Sequence, residues 1–457
     1  MVNIFLVNYK VQGIKNLDSM ISLSFYKKTI RKPIDTEDYN IKGIYGMNGS
    51  GKSAIIMSVD ILRNLLINED YLNNPIVQKK LNELINKQKN ELNIEAEILC
   101  YKSEYDGFIC NYIVNLKKNN GKYEVDGEKL SYKMTSSKKD EFKTLLEVKN
   151  GKITQINLDK ESEFKSFIVE KTMNLLSKST LLSLYLKNSL DFLNFQEDKA
   201  SALLNMNLSS VIIFGARTHV FMESSDNHMD YFLRKNIEYS GEFDKNDLSY
   251  SLLKSSIQTN EKLLDIFSND ENFISKNDYE KFENRVKRLE KFIQIFKHDL
   301  TRIDIEKKDN GNFYVCSLNM VYGTYSINVE FESTGVKKLI KLFTYLQEMV
   351  QGGIVFIDEF DSNLHDVYLC ALIEYLMEYG KGQLCFTTHN VGPMDILKSR
   401  KKSIDFLSLD HNIYPWTKNG NYSPSKLYRN GMIEGSPFNI DSIDFIGIFD
   451  VPKEDEE

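Results

Sequence analysis

The sequence predicts an α/β protein whose mixed sheet is flanked by helices, and three observations carry this prediction. First, an apolar run at residues 41–45 leads through a glycine-rich loop into a helix-like segment. Second, strand-like and helix-like segments alternate between residues 336 and 409, which is typical of sheets with parallel strands. Third, the apolar run at 354–357 ends in two carboxylates, at the edge where such sheets bind ligands.

The glycine-rich loop, residues 46–53, fills every fixed position of the pattern G-x-x-x-x-G-K-[ST]. Glycines let such a loop fold closely around a polyphosphate, and N–H groups at the following helix start attract its charge. The pattern assigns Lys52 to the β- and γ-phosphates and the Ser53 hydroxyl to Mg²⁺. We therefore predict a nucleoside triphosphate site, with these residues around the nucleotide: Gly46, Asn48, Gly49, Ser50, Gly51, Lys52, Ser53 and Ala54.

The two carboxylates, Asp358 and Glu359, predict the hydrolytic half of the same site. Asp358 is suited to hold Mg²⁺, directly or through water, beside Ser53. Glu359 is suited to orient and deprotonate the attacking water, because a general base must lie within hydrogen-bond reach of it. An acidic residue after an apolar strand is common and is a weak signal by itself. The prediction depends on the presence of both the acidic pair and the glycine-rich loop at residues 46–53 in one chain.

Three further motifs resemble those of ABC-type ATPases. Glu332-Ser333-Thr334-Gly335 resembles the S-x-G signature, residues 361–365 resemble the D-loop, and residues 386–390 resemble the histidine switch. Their order and spacing resemble the SMC/RecF-like branch of these ATPases. More narrowly, the chain resembles the bacterial AAA-annotated ATPases of the abortive-infection and overcoming-lysogenisation-defect type, with specific motifs in residues 1–60 and 313–440.

The resemblance implies an ABC-type ATPase head that binds ATP and Mg²⁺ and pairs head to tail with a second copy. Ser333 and the N–H of Gly335 are then expected to touch the γ-phosphate held by the partner. His389 is expected to sense the γ-phosphate, with a purely structural histidine as the alternative, and the role of His365 stays open. Gln196 is the candidate for the family's Mg²⁺-sensing glutamine, with an ordinary surface residue as the alternative.

The adenine-stacking aromatic of the family is expected on the N-terminal strands. Tyr9 and Tyr45 are the candidates, and a buried core tyrosine is the alternative for both. Elsewhere, Val211–Phe214 is predicted as a short buried strand. Apolar residues at spacings of three and four between Tyr279 and Leu300 predict a helix that packs on its own domain or forms a short coiled-coil arm.

These patterns divide the chain into five predicted parts. They are an N-terminal head lobe (1–90), a β-rich insertion (91–160), a helical insertion (161–305), a C-terminal head lobe with signature, acidic pair and histidine switch (306–420), and an extension with an acidic tail (421–457).

Composition narrows the protein class. Hydrophobic residues make up 42%, charged residues 27%, and the mean hydropathy is -0.37, as expected for a globular protein. We expect neither a secretory signal nor a membrane helix, and five scattered cysteines without C-x-x-C spacing fit reduced thiols in a cytoplasm. The net charge of -7 argues against DNA binding that is driven by the overall charge of the protein, although a local basic groove is compatible with this net charge.

Two functions are favoured. One is an ATP-driven homodimeric switch, or higher homo-oligomer, that regulates a separate effector such as a nuclease or toxin in phage defence. The alternative is a DNA-repair or recombination ATPase that clamps DNA in an ATP-dependent way, for which Arg285–Lys291 and Lys398–Lys402 are the basic segments. DNA or RNA is a possible partner. A transporter subunit and an intrinsic nuclease rank lower, because no membrane partner can be inferred and no convincing D-x-D follows His389.

Overall fold

The protein is described by a computed structural model that covers residues 3–27, 30, 33–137, 141–159, 162–188, 198–223, 266–311, 313–417, 422–437 and 448. Within these residues the chain forms three sheets with helices packed between and around them. The predicted α/β class with a mixed sheet is confirmed.

The first sheet is mixed and has the strand order β17-β16-β3-β15-β14-β9 in the described part of the chain. Its strands are β3 (Ile41–Gly46), β9 (Thr218–Phe221), β14 (Ile354–Ile357), β15 (Gln383–Thr387), β16 (Ile404–Leu407) and β17 (Ile413–Pro415). Neighbouring strands run parallel except β16 and β17. The carboxyl ends of its parallel strands therefore share one edge.

The second sheet is antiparallel and has the order β2-β1-β4-β5-β6-β7-β8. Its strands are β1 (Asn3–Gln12), β2 (Ile21–Ser24), β4 (Glu91–Ser103), β5 (Asp106–Asn119), β6 (Lys122–Met134), β7 (Lys143–Lys149) and β8 (Lys152–Ile156). The third sheet joins β10 (Asn272–Ser275), β11 (Leu300–Asn310), β12 (Phe313–Tyr322) and β13 (Ser326–Asn328). Strands assigned to the N-terminal lobe and to the β-rich insertion thus share one sheet, and the domain boundaries stay predictions.

The helices of the described residues connect and cover these sheets. They are α1 (Lys52–Ile67), α2 (Pro75–Leu84), α3 (Glu163–Thr172), α4 (Leu181–Lys187), α5 (Lys199–Arg217), α6 (Tyr279–Phe296), α7 (Thr334–Gln351), α8 (Asp366–Tyr379), α9 (Met394–Leu397) and α10 (Pro424–Arg429). None of the helices in the described ranges is both long and apolar enough to span a lipid bilayer.

Helix α1 is buried over nearly its whole length, because α5, β3 and β14 all pack against it. Its apolar residues accordingly occur on all sides and not along one stripe. A buried side chain links the two larger sheets. The amide of Gln383 in β15 accepts from the Leu6 N–H at 2.6 Å and donates to the Leu6 carbonyl at 3.0 Å.

Two predictions about local structure are settled here. The predicted strand at Val211–Phe214 is wrong: these residues lie in α5, and the strand β9 begins only at Thr218. The predicted helix after Tyr279 is confirmed as α6, which ends at Phe296 and packs its apolar face on β11 and β12; Leu300 instead begins β11. The part of the helical insertion between residues 243 and 265 lies outside the described residues.

Candidate nucleotide-binding and hydrolysis site

The predicted site residues meet at the carboxyl edge of the mixed sheet. Strand β3 ends at Gly46, β14 ends immediately before Asp358, and β15 ends at Thr387. Because β15 lies between β3 and β14, the residues that follow it are placed between the glycine-rich loop and the acidic pair. This edge is where open α/β sheets bind their ligands.

The glycine-rich loop turns directly into α1. Gly51 precedes the helix with φ of 107°, a left-handed conformation that a residue with a side chain rarely adopts. Asn48 and Gly49 are exposed at the tip of the loop, and the side-chain amide of Asn16 donates to the Gly49 carbonyl at 2.5 Å. Ser53 is half-buried in the first helical turn, followed by buried Ala54. The loop therefore presents its tip and the helix start at the sheet edge.

Lys52 lies inside this loop. Its ammonium donates to the carbonyl oxygens of Gly46 at 2.9 Å and Met47 at 3.1 Å. Burial lowers the pKa of Lys52, while the nearby carboxylates of Asp358 and Glu359 act in the opposite direction. The lysine and the acidic pair, far apart in sequence, thus share one electrostatic environment.

Other parts of the chain support the loop from behind. His411 Nδ1 lies 3.1 Å from the carbonyl oxygen of Ser50. The hydroxyl of Ser50 is buried and has no hydrogen-bond partner among the described residues. Tyr428 of α10 stacks on Phe406 with ring centres 5.5 Å apart and hydrogen-bonds the backbone of Gly46. Helix α10 therefore touches the first residue of the loop.

The acidic pair is held by its neighbouring strands. Asp358 is 3% exposed, and its N–H donates to the carbonyl of Phe221 at 2.9 Å. The hydroxyl of Thr387 donates to Asp358 Oδ1 at 2.5 Å and accepts from the N–H of Glu359 at 2.8 Å. Glu359 has φ of 46°, a strained conformation for a residue with a side chain. Such strain is often found at functional turns.

The two histidines of the predicted motifs differ in environment. His389 is exposed after β15, and its pKa is lowered by partial burial and by the positive charge of Lys52. Asp361 and Asp358 oppose this shift, so the structure brings His389 to the predicted site. His365 instead accepts from the N–H of Val367 at 3.4 Å and caps the start of α8. This contact gives His365 a structural role.

The predicted signature forms the start of α7. Ser333 is its exposed N-cap and accepts from the N–H of Val336 at 3.4 Å. Gly335 packs against the D-loop segment, where an added Cβ would lie 2.8 Å from the carbonyl oxygen of Asn363. Only glycine permits this close approach, so the signature and the residues after the acidic pair are in contact within one chain.

Two candidate residues lie in the core and not at the site, and the position of a third is not described. Tyr9 is 1% exposed, and its hydroxyl lies 2.7 Å from the hydroxyl of Ser58 in α1. Tyr45 is also 1% exposed and packs on Phe406 and Tyr428. Both tyrosines belong to the core, so the proposal that either stacks on adenine is wrong for this structure. Gln196 lies outside the described residues.

Sequence reasoning assigned no role to Lys338 or to the hydroxyl of Thr387. Lys338 is a buried lysine on α7 whose ammonium contacts the turn after Glu359. A single lysine in an amphipathic helix gives no local signal, because such residues usually face solvent. Thr387 is the last residue of an apolar strand, and it meets the acidic pair because β15 lies beside β14 in the sheet.

The residues present fit a magnesium ion bound together with phosphate. The described residues contain no cluster of three or more His, Cys, Asp or Glu that could hold a metal ion without further ligands. Magnesium usually takes one or two protein oxygens and completes its shell with phosphate oxygens and water. The hydroxyl of Ser53 and the carboxylate of Asp358 are the expected protein ligands.

The comparisons with known proteins agree with an ATPase-type domain. Residues 213–395 match the family described as "AAA domain, putative AbiEii toxin, Type IV TA system". This range includes the acidic pair and His389 but not the glycine-rich loop, and it covers less than half of the chain. No curated protein matches the chain.

Among solved structures, the chain is similar to two structures of the recombination mediator protein RecF in the RecFOR pathway. They are described as RecF-ATPrS and RecF-ATP. Sequence identity is 12% in both, and the TM-scores are 0.36 and 0.33. The alignments cover 91% of this chain and 99% and 98% of the two RecF chains. The matched AAA domain and the geometry of the glycine-rich loop together show an α/β P-loop fold.

Proposed function

We propose that the protein is a magnesium-dependent ATPase. The observation that carries this proposal is the meeting of Lys52, Asp358 and Glu359 at one sheet edge, with Thr387 fixing the acidic pair. Lys52 and the N–H groups of the loop bind the phosphates, and Ser53 and Asp358 hold Mg²⁺. Glu359 acts as general base for the attacking water, and His389 contacts the γ-phosphate.

Substitution of Lys52 and Glu359 tests this proposal. Lys52→Ala should abolish ATP binding, whereas Glu359→Gln should retain binding and lose most hydrolysis. Exposed Lys87→Ala is the control, since Lys87 pairs only with Glu83 on the surface among the described contacts. Isothermal titration and phosphate release measure the two properties. Unchanged nucleotide affinity in Lys52→Ala would contradict the assignment of the loop.

We further propose that two copies pair head to tail around ATP. Ser333 supports this, because it is exposed at the start of a long helix, whose N–H groups favour negative charge. Each site would then combine Lys52 of one copy with Ser333 and Gly335 of the other. Binding of ATP closes the pair and hydrolysis opens it, so the γ-phosphate acts as a switch.

Mixing two inactive variants tests this arrangement. Lys52→Ala and Ser333→Arg each disable both sites of a homodimer, but a mixed dimer contains one site free of both changes. Equal mixing should recover about a quarter of the wild-type ATPase rate, as expected for random pairing of a symmetric dimer. The Lys52→Ala variant alone, at the same total protein concentration, serves as the control. No recovery in a mixture shown to exchange subunits would exclude a shared site.

The switch is proposed to regulate a separate effector protein, a nuclease or toxin, during phage defence in the cytoplasm. Support comes from the matched family, whose description includes a putative AbiEii toxin and a Type IV toxin–antitoxin system. Co-purification of the Glu359→Gln variant with ATP tests for the effector. Retention of a nuclease or toxin with ATP but not ADP is expected, and loss of phage resistance in Lys52→Ala should accompany it.

A DNA clamp is the alternative function, and the predicted basic segment at residues 398–402 gives it little support. In the segment at residues 398–402, Lys401 and Arg400 contact Asp38 at 2.5 Å and 3.4 Å. Lys398 lies 3.8 Å from Asp395. These ion pairs reduce the positive charge available to phosphates. Tight binding of plain duplex DNA with ATP, falling steeply as salt rises, would favour the clamp.

A further inference from the structure

Lys338 is a buried lysine that none of the predicted motifs uses. It lies on α7, one helical turn after Gly335, and its side chain is 1% exposed. Its ammonium donates to the carbonyl oxygens of Glu359 at 2.6 Å and Ser362 at 3.0 Å, and to the Ser362 hydroxyl. The signature helix thus holds the turn that carries the proposed general base.

The backbone of Glu359 is held from two different elements. Its N–H donates to the hydroxyl of Thr387 on β15, and its carbonyl accepts from Lys338 on α7. The carbonyl also accepts from the N–H of Ser362 at 3.1 Å, which closes the turn. Because Glu359 has φ of 46°, these contacts maintain an otherwise unfavourable backbone conformation. The direction of its carboxylate therefore depends on α7.

A second contact joins α7 to the same turn. Gly335 lies against the carbonyl of Asn363, and the hydroxyl of Thr334 lies 3.4 Å from the side-chain oxygen of Asn363. Gly335 and Lys338 are three residues apart and lie on one face of the helix. The helix consequently contacts both ends of the segment from Glu359 to Asn363.

We propose that Lys338 is a positioning residue that transmits the state of the Ser333 end of α7 to the carboxylate of Glu359 in the same chain. This inference rests on the proposed ATPase function. When Ser333 contacts a γ-phosphate across the dimer, any shift of α7 moves the Lys338 ammonium and with it the carbonyl of Glu359. Nucleotide bound at one site of the dimer thereby determines the position of the Glu359 carboxylate at the other site.

The electrostatic setting supports a role beyond packing. Burial lowers the pKa of Lys338, and carboxylates, chiefly Glu223, oppose this shift. Glu223 lies 3.6 Å from the ammonium, whereas the shorter contacts all go to the turn. Burying the charge of a lysine costs desolvation free energy, so a lysine at this position contributes little to stability by its charge alone. Its hydrogen bonds to main-chain oxygens of the turn are suited to fixing geometry.

Kinetics of three variants test the proposal. Lys338→Met keeps an unbranched side chain that is one atom shorter and removes the ammonium. It should lower kcat at least tenfold and leave KM for ATP within twofold. Ser362→Ala removes one acceptor and should lower kcat by a smaller factor. Lys341→Met, one turn further along α7, is the matched control and should retain the wild-type kcat. Equal loss of ATP affinity and kcat in Lys338→Met would indicate general disruption and overturn the proposal.

A double variant separates positioning of Glu359 from a structural role. In the Glu359→Gln background, Lys338→Met should lower the residual rate less than twofold, because the group it positions is already absent. A further tenfold loss in that background would overturn the proposal.

Hydrogen exchange provides a readout that does not need hydrolysis. Lys338→Met should raise exchange at the N–H groups of Ser362 and Leu364, which close the turn, and leave the body of α7 unchanged. A wild-type chain that does not hydrolyse ATP would refute the proposed function, while exchange would still decide the role of Lys338. Unchanged exchange at the turn would overturn that role.

Discussion

Thr387 donates its hydroxyl to Asp358 Oδ1 at 2.5 Å, so the end of β15 fixes the carboxylate that ends β14. The hydroxyl oxygen of Thr387 also accepts from the N–H of Glu359 at 2.8 Å. One hydroxyl therefore orients both the proposed magnesium ligand and the proposed general base.

Replacement of Thr387 by valine should lower the ATPase rate. A hydrogen bond to a charged group contributes about 1.5–3 kcal/mol, so its loss should reduce kcat by about tenfold or more. Thr387→Ser keeps the hydroxyl and serves as the control. Steady-state phosphate release measures both variants, and a wild-type rate in Thr387→Val would show that the carboxylate needs no such donor.

The buried ion pair between Lys42 and Asp405 joins β3 to β16. Its atoms lie 2.7 Å apart, and the side chains are 1% and 2% exposed. Lys42→Met should lower the free energy of unfolding by about 3–5 kcal/mol, because it leaves an unpaired buried carboxylate. Lys42→Met with Asp405→Leu should recover most of this loss.

Urea denaturation measures this effect, with the exposed pair Lys87 and Glu83 as the control. Lys87→Met should change the free energy of unfolding by less than about 1 kcal/mol, as is usual for surface pairs. Equal effects of Lys42→Met and Lys87→Met would contradict the burial argument.

Glu128 should make stability fall as pH rises. Its carboxylate accepts from the N–H groups of Leu181 at 2.7 Å and Leu182 at 3.3 Å, yet burial raises its pKa from 4.5 to about 7. The folded state therefore holds the proton more tightly, and this contribution is present below pH 4.5 and lost as pH rises through about 7.

Glu128→Gln removes this titration. The melting temperature of the wild-type protein, relative to the variant, should be higher at pH 5 than at pH 8.5. Exposed Glu83→Gln should show no such difference. Parallel melting curves for wild type and Glu128→Gln across this range would contradict the raised pKa.

His219 should make stability fall in acid. Burial, aided by the positive charge of Arg63, lowers its pKa from 6.5 to about 3. Its Nε2 lies 3.8 Å from Glu348 Oε2, but this distance is too long to offset desolvation at a side chain that is 5% exposed. His219 is therefore neutral in the fold, and its contribution is present above pH 6.5 and lost as pH falls toward 3.

His219→Gln should lose less stability than wild type between pH 7 and pH 4.5. Thermal unfolding of both proteins at several pH values measures the difference. Equal acid sensitivity in wild type and His219→Gln would show that the imidazole is already protonated in the fold.

The site was largely predictable because its signals are local. The loop at residues 46–53 has a fixed pattern, and the apolar run before Asp358 has the length of a buried strand. The rule that parallel strands present their carboxyl ends at one edge then brings these segments together. The carboxylates of Asp358 and Glu359 accordingly influence the pKa of Lys52, and the hydroxyl of Thr387 donates to Asp358.

The error at Val211–Phe214 has a physical reason. A run of four apolar residues suits a buried strand or a buried helix equally. Helix α5 packs against α1 on one side and β5 on another, so it is apolar around much of its surface. Asp198, whose carboxylate accepts from the N–H groups of Ala200 and Ser201, is the start signal that identifies the helix.

The role of Lys338 was not accessible from sequence. Its helix has regular amphipathic spacing, and a lysine there is typical of a solvated face. Only the packing of α7 against the turn after Glu359 shows that the ammonium is enclosed. Likewise, the burial of Tyr9 and Tyr45 follows from how the sheets pack, which local patterns do not specify.

The position of β3 between β15 and β16 has a consequence for synthesis on the ribosome. Both hydrogen-bonded neighbours of β3 come from residues 383–407, whereas β3 itself is residues 41–46. At about 5–20 residues per second, β3 is made roughly 20–70 s before its partners. During that interval both of its edges are open to pairing with other chains. A nascent chain halted before residue 383 consequently keeps both edges of β3 unpaired with its native neighbours and exposed to aggregation.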